Sequence, residues 1–303
     1  MAKNIFNKYV WLVETIYKAG RISFEELNEK WMTNENLSEG MELLQRTFHK
    51  WRIACEEVFG LVIECDRKDG YRYYILNARE FERGGLRSWL IDTISVSNLL
   101  LSNQSLNDRI LLEKIPSGKE YLSSILGAIK EKNICRIIYY NYVGHDERPH
   151  EVMPLCVKLF RQRWYMISKS CNSGKIMAFG LDRIRDFKPT DKKFEYPDDF
   201  DAQTYYDESF GIINGDGTKT EHVVLKVSAI QANYLRDLPM HHSQIETQQD
   251  DNYSIFELDI KPTFDFQQEI LWAGEEMEVL APLSLRNEIA GKIKLMWNKY
   301  KED

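Results

Sequence analysis

The stretch KLFRQRWYMISKS, Lys158 to Ser170, decides how this chain is read. Lys158, Arg161 and Arg163 crowd in front of Trp164-Tyr165, inside a segment that reads as a β-strand. Successive strand side chains point to opposite faces. If Trp164 and Met166 face a core, Arg163 and Tyr165 therefore share the other side. Solubility explains charges on a surface hairpin. A pocket for something anionic with flat, stackable parts explains the charges and the aromatics together.

The neighbouring segments supply a sheet. CRIIYYNY (135–142), HEVMPLCVKLF (150–160), RWYMISKS (163–170) and KIMAFGLDRIRDFKPT (175–190) are short and separated by turn residues such as Val143-Gly144-His145-Asp146 and Asn172-Ser173-Gly174. Closely spaced antiparallel strands of this kind predict a small β-barrel, entered through the helix LSSILGAIKEK (122–132). The aromatic, acidic FEYPDDFDAQTYYDESFGI (194–212) follows as a tail lying against it. In LDRIRDF, Arg183 and Arg185 share one face. Tyr140 and His150, from the preceding strands, can reach the same side. Guanidinium groups bind phosphate in a fork and stack on bases, and tyrosine adds a platform. Lys158, Arg161, Arg163, Tyr165, Arg183, Tyr140 and His150 are therefore the candidate ligand-binding residues. Trp164 reads as core. The bland alternative pairs Arg183 with Asp182 or Asp186.

Ahead of this sheet, three helices and a hairpin occupy the first 80 residues. Phe6, Val10, Val13 and Tyr17 recur at helical spacing and Gly20 closes the segment. RISFEELNEKW (21–31) carries a capping box, Ser23 with Glu26, and Phe24 and Leu27 as core positions. After the polar MTNENLSEG comes MELLQRTFHKWRIACEEVFG (41–60), whose Leu44, Phe48, Trp51, Cys55 and Val58 are expected on one apolar face. The other face shows Arg46, Thr47, His49, Lys50 and Arg52 early and Glu56 and Glu57 late. That order opposes the helix dipole, which suits a helix that faces phosphates. LVIECDRKDGYRYYILN (61–77) alternates around Asp69-Gly70, a hairpin signal, with Arg67, Lys68 and Arg72 at its tip. Three helices and a basic hairpin, in this order, form a winged helix-turn-helix. Arg46, Thr47, His49, Lys50, Arg52, Arg67 and Lys68 are the candidate DNA contacts.

LRSWLIDTISVSNLLLS (86–102) is a helix with more apolar content (Trp89, Leu90, Leu99, Leu100, Leu101) than a solvated linker needs. A dimer contact, or packing against the next domain, accounts for it, and Pro116-Ser117-Gly118 breaks it. The last third holds TEHVVLKVS, AIQANYLRD, the polar PMHHSQIETQQDDN, YSIFELDIK, FQQEILWAG and MEVLAPL. It closes on the helix SLRNEIAGKIKLMWNKY, with Ser284 as its cap and Ile289, Ile293 and Trp297 as its buried stripe.

These residues resemble a known family. RTFHKWRIACEEVFGLVIECDR, PLCVKLFRQRWYMISKS with FGLDRI, and LPMHHSQ with GEEMEVLAPLSLRNEI look like WYL-domain transcriptional regulators: a winged helix-turn-helix, a WYL domain and the C-terminal extension called WCX. The similarity covers essentially the whole chain. It departs at Met166, where the triplet that names the domain has leucine, a volume-conserving change. It departs also at Gln45, where many relatives place serine. What the resemblance implies is an α+β multidomain protein. Residues 1–80 would be a winged helix-turn-helix and 81–118 a helical linker for dimerisation. Residues 119–210 would be an Sm/SH3-like WYL barrel that senses a nucleotide or single-stranded nucleic acid, and 211–303 an α/β WCX domain. The implied protein is a bacterial homodimer that binds double-stranded operator DNA, and the 46–66 segment looks like relatives in Bacteroidetes.

Composition bounds the alternatives. The net charge of −7 hides a block of +4 over 119–200 and −10 over 201–303, so the basic face is local. The five cysteines, odd in number and without metal-type spacing, read as reduced thiols in a cytoplasmic protein. No apolar run is long enough for a membrane span, and the first 20 residues lack a signal-peptide pattern. No catalytic motif is present: GIINGDGTKT (211–220) fits neither phosphate-loop pattern, and His241-His242 have no partners at zinc spacing. The expectation is a binding protein without cofactor, metal or catalysis. The alternative to an operator-reading regulator is an RNA- or single-strand-binding module without duplex selectivity.

Overall fold

In the computed structural model the described residues are 2–78, 86–102, 104–111, 113, 118–215 and 217–301. They divide into two compact units, Met1–Glu113 and Lys114–Asp303.

In the first unit, helix α1 (Ala2–Ala19) buries Val10, Leu12, Val13 and Ile16, while Tyr17 of the expected stripe stays exposed. Helix α2 (Phe24–Thr33) starts on the expected capping box: Ser23 Oγ accepts from Glu26 N–H, and the Glu26 carboxylate accepts from Ser23 N–H at 2.9 Å. The segment read as a polar connector contains a helical turn, α3 (Glu35–Ser38). Helix α4 (Gln45–Phe59) faces the core with Phe48, Trp51, Cys55 and Phe59. Leu44 and Val58, expected on that face, are exposed. The helix begins only at Gln45, so Leu44 is its N-cap, and at 3.6 residues per turn the stripe ends on Phe59 rather than Val58. Strands β1 (Ile63–Asp66) and β2 (Arg72–Ile75) form the antiparallel hairpin. Tyr73 of its second strand meets Phe48 edge-on at 4.6 Å, and Ile22 bridges to Tyr73, which seats the hairpin on the helices. Burying a side chain such as Phe48 contributes about 1.5–3 kcal/mol. Helix α5 (Leu86–Ser102) packs on α1, with Ile91 and Ile94 joining this core. The expected break at Pro116-Ser117 lies outside the described residues, as does the Leu101 side chain.

The second unit opens with α6 (Leu122–Glu131), which lies on a five-stranded antiparallel sheet ordered β6-β5-β4-β3-β7. The strands are β3 (Asn133–Asn141), β4 (Asp146–Phe160), β5 (Arg163–Ser170), β6 (Ile176–Gly180) and β7 (Ile184–Lys193). One face packs Met166, Tyr139 and Phe179 with α6; the other packs Tyr165, Ile167, Phe194 and Phe200. The 194–212 tail lies on this second face, as its aromatic content led one to expect. The run KIMAFGLDRIRDFKPT is two strands, broken by a tight helical turn at Leu181–Arg183.

The C-terminal part is a four-stranded sheet ordered β11-β8-β10-β9, from β8 (Glu221–Ser228), β9 (Ile245–Gln249), β10 (Tyr253–Ile260) and β11 (Met277–Ala281). Helices α7 (Ala229–Asp237), α8 (Phe264–Trp272) and α9 (Leu283–Tyr300) complete it. Strand β9 lies within the polar PMHHSQIETQQDDN stretch, where no strand was expected. In α9 the N-cap is Pro282, not Ser284, whose hydroxyl instead donates to Glu221. The buried positions are Leu285 and Ile289; Ile293 and Trp297, expected in the stripe, are 52% and 64% exposed. Only the first two turns of α9 lie over the sheet.

Candidate functional site

Cross-strand register decides where the cations of the opening stretch go. Lys158 pairs with Tyr165 and Phe160 with Arg163, so all four side chains stand on one face, opposite Trp164 and Met166. The β4–β5 connection is a two-residue turn with Arg161 at φ 46° and Gln162 at φ 63°, both in the left-handed region that two-residue hairpins use. This turn carries Arg161 to Glu269 of α8, an ion pair, with its guanidinium also over Phe160 and Phe210. Lys158 Nζ sits 3.5 Å from the centre of the Tyr206 ring and donates to the Gly211 carbonyl at 2.6 Å. Burial pushes its ammonium down to about 8, against the pull of Asp265. Lys158 and Arg161 thus tie the central sheet to the segment that follows it and to α8.

The other candidates gather around the turn between β6 and β7. Arg163 pairs with Asp182, which is largely buried. Gly180 opposes Tyr165 in register, and a Cβ at Gly180 would lie 3.5 Å from both Tyr165 and Arg183 Nε. The turn Leu181–Arg183 therefore sets Arg183 beside Tyr165. The Arg183 guanidinium lies 4.8 Å from the centre of the Tyr139 ring and 4.7 Å from that of Tyr142. Tyr139 Oη accepts from Gly180 N–H at 3.1 Å, which fixes that ring. Tyr142 meets Tyr140 edge-on at 5.8 Å, and Arg185 lies 5.2 Å from the centre of the Tyr140 ring. His150 sits half-buried behind this strip against Phe179 and Tyr139. Burial, with Arg148 nearby, lowers its pKa.

The arrangement is a strip of two guanidinium groups on the accessible rings of Tyr140 and Tyr142, with Tyr139 buried against Arg183. Such a surface offers stacking faces and phosphate donors at once. Three orphaned polar atoms lie in the same cluster: Arg163 Nε, Asp182 Oδ1 and Arg183 Nε are buried without a hydrogen bond. Buried polar atoms are rarely left so. The alternative pairing of Arg183 with Asp182 or Asp186 does not form; Asp182 takes Arg163 and Asp186 takes Lys188. Sequence reasoning missed Tyr139, Tyr142 and Asp182. The alternation of LDRIRDF placed Arg185 beside Arg183, and that was the available signal for it.

In the first unit, Arg46, His49 and Lys50 are exposed on α4, and Thr47 and Arg52 are half-exposed. The α4 N-terminus has no side-chain cap and no acid in its first turn, so its leading N–H groups are open to an anion. Arg67 and Lys68 are exposed at the hairpin tip, where Asp66 and Asp69 both hold Arg21. Among the described residues no group of three His, Cys, Asp or Glu is placed to hold a metal ion. The His241 ring bonds Ser243 and the Asp207 carbonyl. No helix among the described residues is long and apolar enough to cross a membrane.

The class is now defined: an α+β protein with a winged-helix-like helical unit, a central antiparallel sheet and a C-terminal α/β domain. The family model of the WYL domain matches residues 120–189 and that of the WCX domain residues 219–297. The chain thus carries a WYL domain and, after it, a WCX domain. Among solved structures, proteasome accessory factor B/C (PafBC) of Arthrobacter aurescens is similar at 16% identity and a TM-score of 0.36, over 94% of this chain and 45% of that one. A CRISPR Cas-related protein is similar at 12% identity and a TM-score of 0.39, over 61% of this chain and 54% of that one. The chain thus spans about half the length of these structures. No curated protein matches it. No finding supports the Bacteroidetes resemblance.

Proposed function

We propose that this protein is a homodimeric, DNA-binding transcriptional regulator whose WYL domain senses a nucleotide or single-stranded nucleic acid. The labour divides over 1–80, 81–118, 119–210 and 211–303. The observation that carries the reading is the strip Arg183–Tyr142–Tyr140–Arg185, with Arg163 and Tyr165 beside it. Its two cations offer partners for a strand's phosphates, and its rings offer faces on which bases can stack.

Helix α4 enters the major groove, with Arg46, Thr47, His49, Lys50 and Arg52 as the contacting side chains. Arg67 and Lys68 touch adjacent backbone. Exposed Leu90 and Val96 on α5 support a contact between two copies. A dimer reads two half-sites about one helical turn apart. A ligand that favours one dimer geometry shifts duplex affinity by its differential affinity for the two forms.

Fluorescence anisotropy on the duplex upstream of the protein's own gene, with and without a short single strand, tests this. Salt-steep, sequence-selective duplex binding that the single strand modulates is the expected result. Single-strand binding with no duplex selectivity would replace this reading with that of an RNA- or single-strand-binding module.

A further inference from the structure

Beside the strip lies a cleft of about 450 Å³, a size typical of small-ligand sites. One wall is strand β6, with Ile176 and Ala178; the opposite wall is Tyr205, Tyr206 and Ile212. Strand β6 is an edge strand. Among the residues lining the cleft, Arg183 carries the one charge, and its Nε is buried without a hydrogen bond. Apolar and aromatic walls with a single guanidinium match a flat ring that bears one anionic group.

The wall opposite β6 is a strap, residues 205–215, and it is pinned from outside the WYL domain. Asp265, in the first turn of α8, accepts from Ile212 N–H at 2.7 Å and Ile213 N–H at 3.0 Å. His241 Nε2 lies 2.6 Å from the Asp207 carbonyl oxygen, so it carries the proton that bridges them. Phe210 packs on both Phe160 and Phe266. Gly211 holds φ +82°, and a Cβ there would come within 2.4 Å of the Asp265 carboxylate. The strap passes close enough to α8 that only glycine fits.

We propose that this cleft binds a planar ring carrying one phosphate, the chemistry of a single nucleotide, with Arg183 on the anion. Its occupancy is read by α8 through the strap and Asp265. The nucleotide class rests on the reading of the strip given above; the cleft and its strap do not. The same chemistry is presented by a free mononucleotide and by the 5′ end of a strand.

The test uses the full chain with two probes, AMP and 5′-phosphorylated pentathymidine. Binding is measured by calorimetry and the response by hydrogen exchange over residues 264–272. Ala178→Trp, on the same face of β6 as Ile176, fills the cleft from its wall and leaves every strip residue in place. Asp265→Asn loosens the strap without touching the cleft. Expected are AMP binding that falls at least tenfold in Ala178→Trp, and slower exchange in α8 on binding. That slowing disappears in Asp265→Asn although AMP still binds. Pentathymidine that loses affinity equally in Ala178→Trp marks a strand end as the occupant; AMP alone losing it marks the free nucleotide. AMP that binds equally well to Ala178→Trp, or leaves α8 exchange unchanged, overturns the proposal. If pentathymidine still depends on Arg185 in that case, the strip reading survives without the cleft. If neither probe binds the wild type, both readings fall.

Discussion

The Arg183 guanidinium lies between two tyrosine rings, 4.8 Å from the centre of Tyr139 and 4.7 Å from that of Tyr142. One ring is buried and fixed by its bond to Gly180; the other is exposed. Arg183 is thus oriented before any ligand arrives, which lowers the ordering cost of binding. Arg183→Ala removes this group and is expected to weaken single-strand binding by about 1–2 kcal/mol, the scale of one stacking or cation–π contact. Arg185→Ala is expected to do the same to a lesser degree, since Glu147 stands 3.8 Å away and partly satisfies it. Basal duplex binding stays as in the wild type in both. Calorimetric titration with a short single strand checks this; equal affinities in wild type and the double variant would take the strip out of the site.

Much of this was legible in the sequence because alternation and capping are local. The Ser23–Glu26 box, the hairpin around Asp69-Gly70 and the face shared by Arg163 and Tyr165 all follow from spacings of two to four residues. The fate of Lys158 and Arg161 did not, because it depends on partners about 50 and 110 residues away, Gly211 and Glu269. The Arg161-Gln162 turn also carries neither the glycine nor the asparagine that marks such a turn. Strand β9 escaped notice because it is an edge strand that buries little, so its IETQQ has no apolar period to read. Ile293 and Trp297 keep a helical stripe that the domain's own core does not reach. Spacing shows which side chains share a face, not where the neighbouring sheet ends.

Helix α4 leads with Arg46 and Lys50, both exposed, over an uncapped N-terminus. Neither side chain packs in the core, so Arg46→Ala and Lys50→Ala should leave the thermal midpoint unchanged. If Arg46 reads a guanine, its loss costs about 1–3 kcal/mol and relaxes preference at that position. Lys50, as a phosphate contact, should lower the slope of log affinity against log salt by about 1. Anisotropy on the operator duplex across a salt series measures both. Unchanged affinity in both variants would remove α4 from the interface.

Gly118 supports the site from a distance. It holds φ +60°, and a Cβ there would fall 2.3 Å from the backbone carbon of Leu181. Leu181 opens the turn that carries Asp182 and Arg183. Gly118→Ala must shift that turn and also strains a left-handed backbone position. The expected outcome is a loss of about 2–4 kcal/mol in stability, with single-strand affinity reduced even at temperatures where the variant is folded. Denaturant unfolding alongside calorimetry separates the two effects. Wild-type stability would show that the turn is free to move away from Gly118.

Lys158 gives the fold a pH signature. Its folded-state pKa of about 8 lies below the ordinary lysine value of 10.5, because burial against Tyr206 disfavours the charge. Below pH 8 both folded and unfolded chains hold the proton, and the folded state bears the full cost of the buried charge. Between pH 8 and 10.5 the unfolded chain binds more protons than the folded one, so this group makes stability rise with pH; above 10.5 the gain is complete. Discounted for partial exposure, the gain is on the order of 2 kcal/mol. Lys158→Met keeps the stem over Tyr206 and removes the titration. Titrations that do not feel Lys158 cancel when the two proteins are compared; Cys156, whose thiol the Lys158 charge pulls down, contributes to the difference. Urea unfolding at pH 7.5 and pH 10 should therefore show the wild type gaining on Lys158→Met at the higher pH. Parallel behaviour of the two would mean that the ammonium keeps its water and that the strap does not cover it.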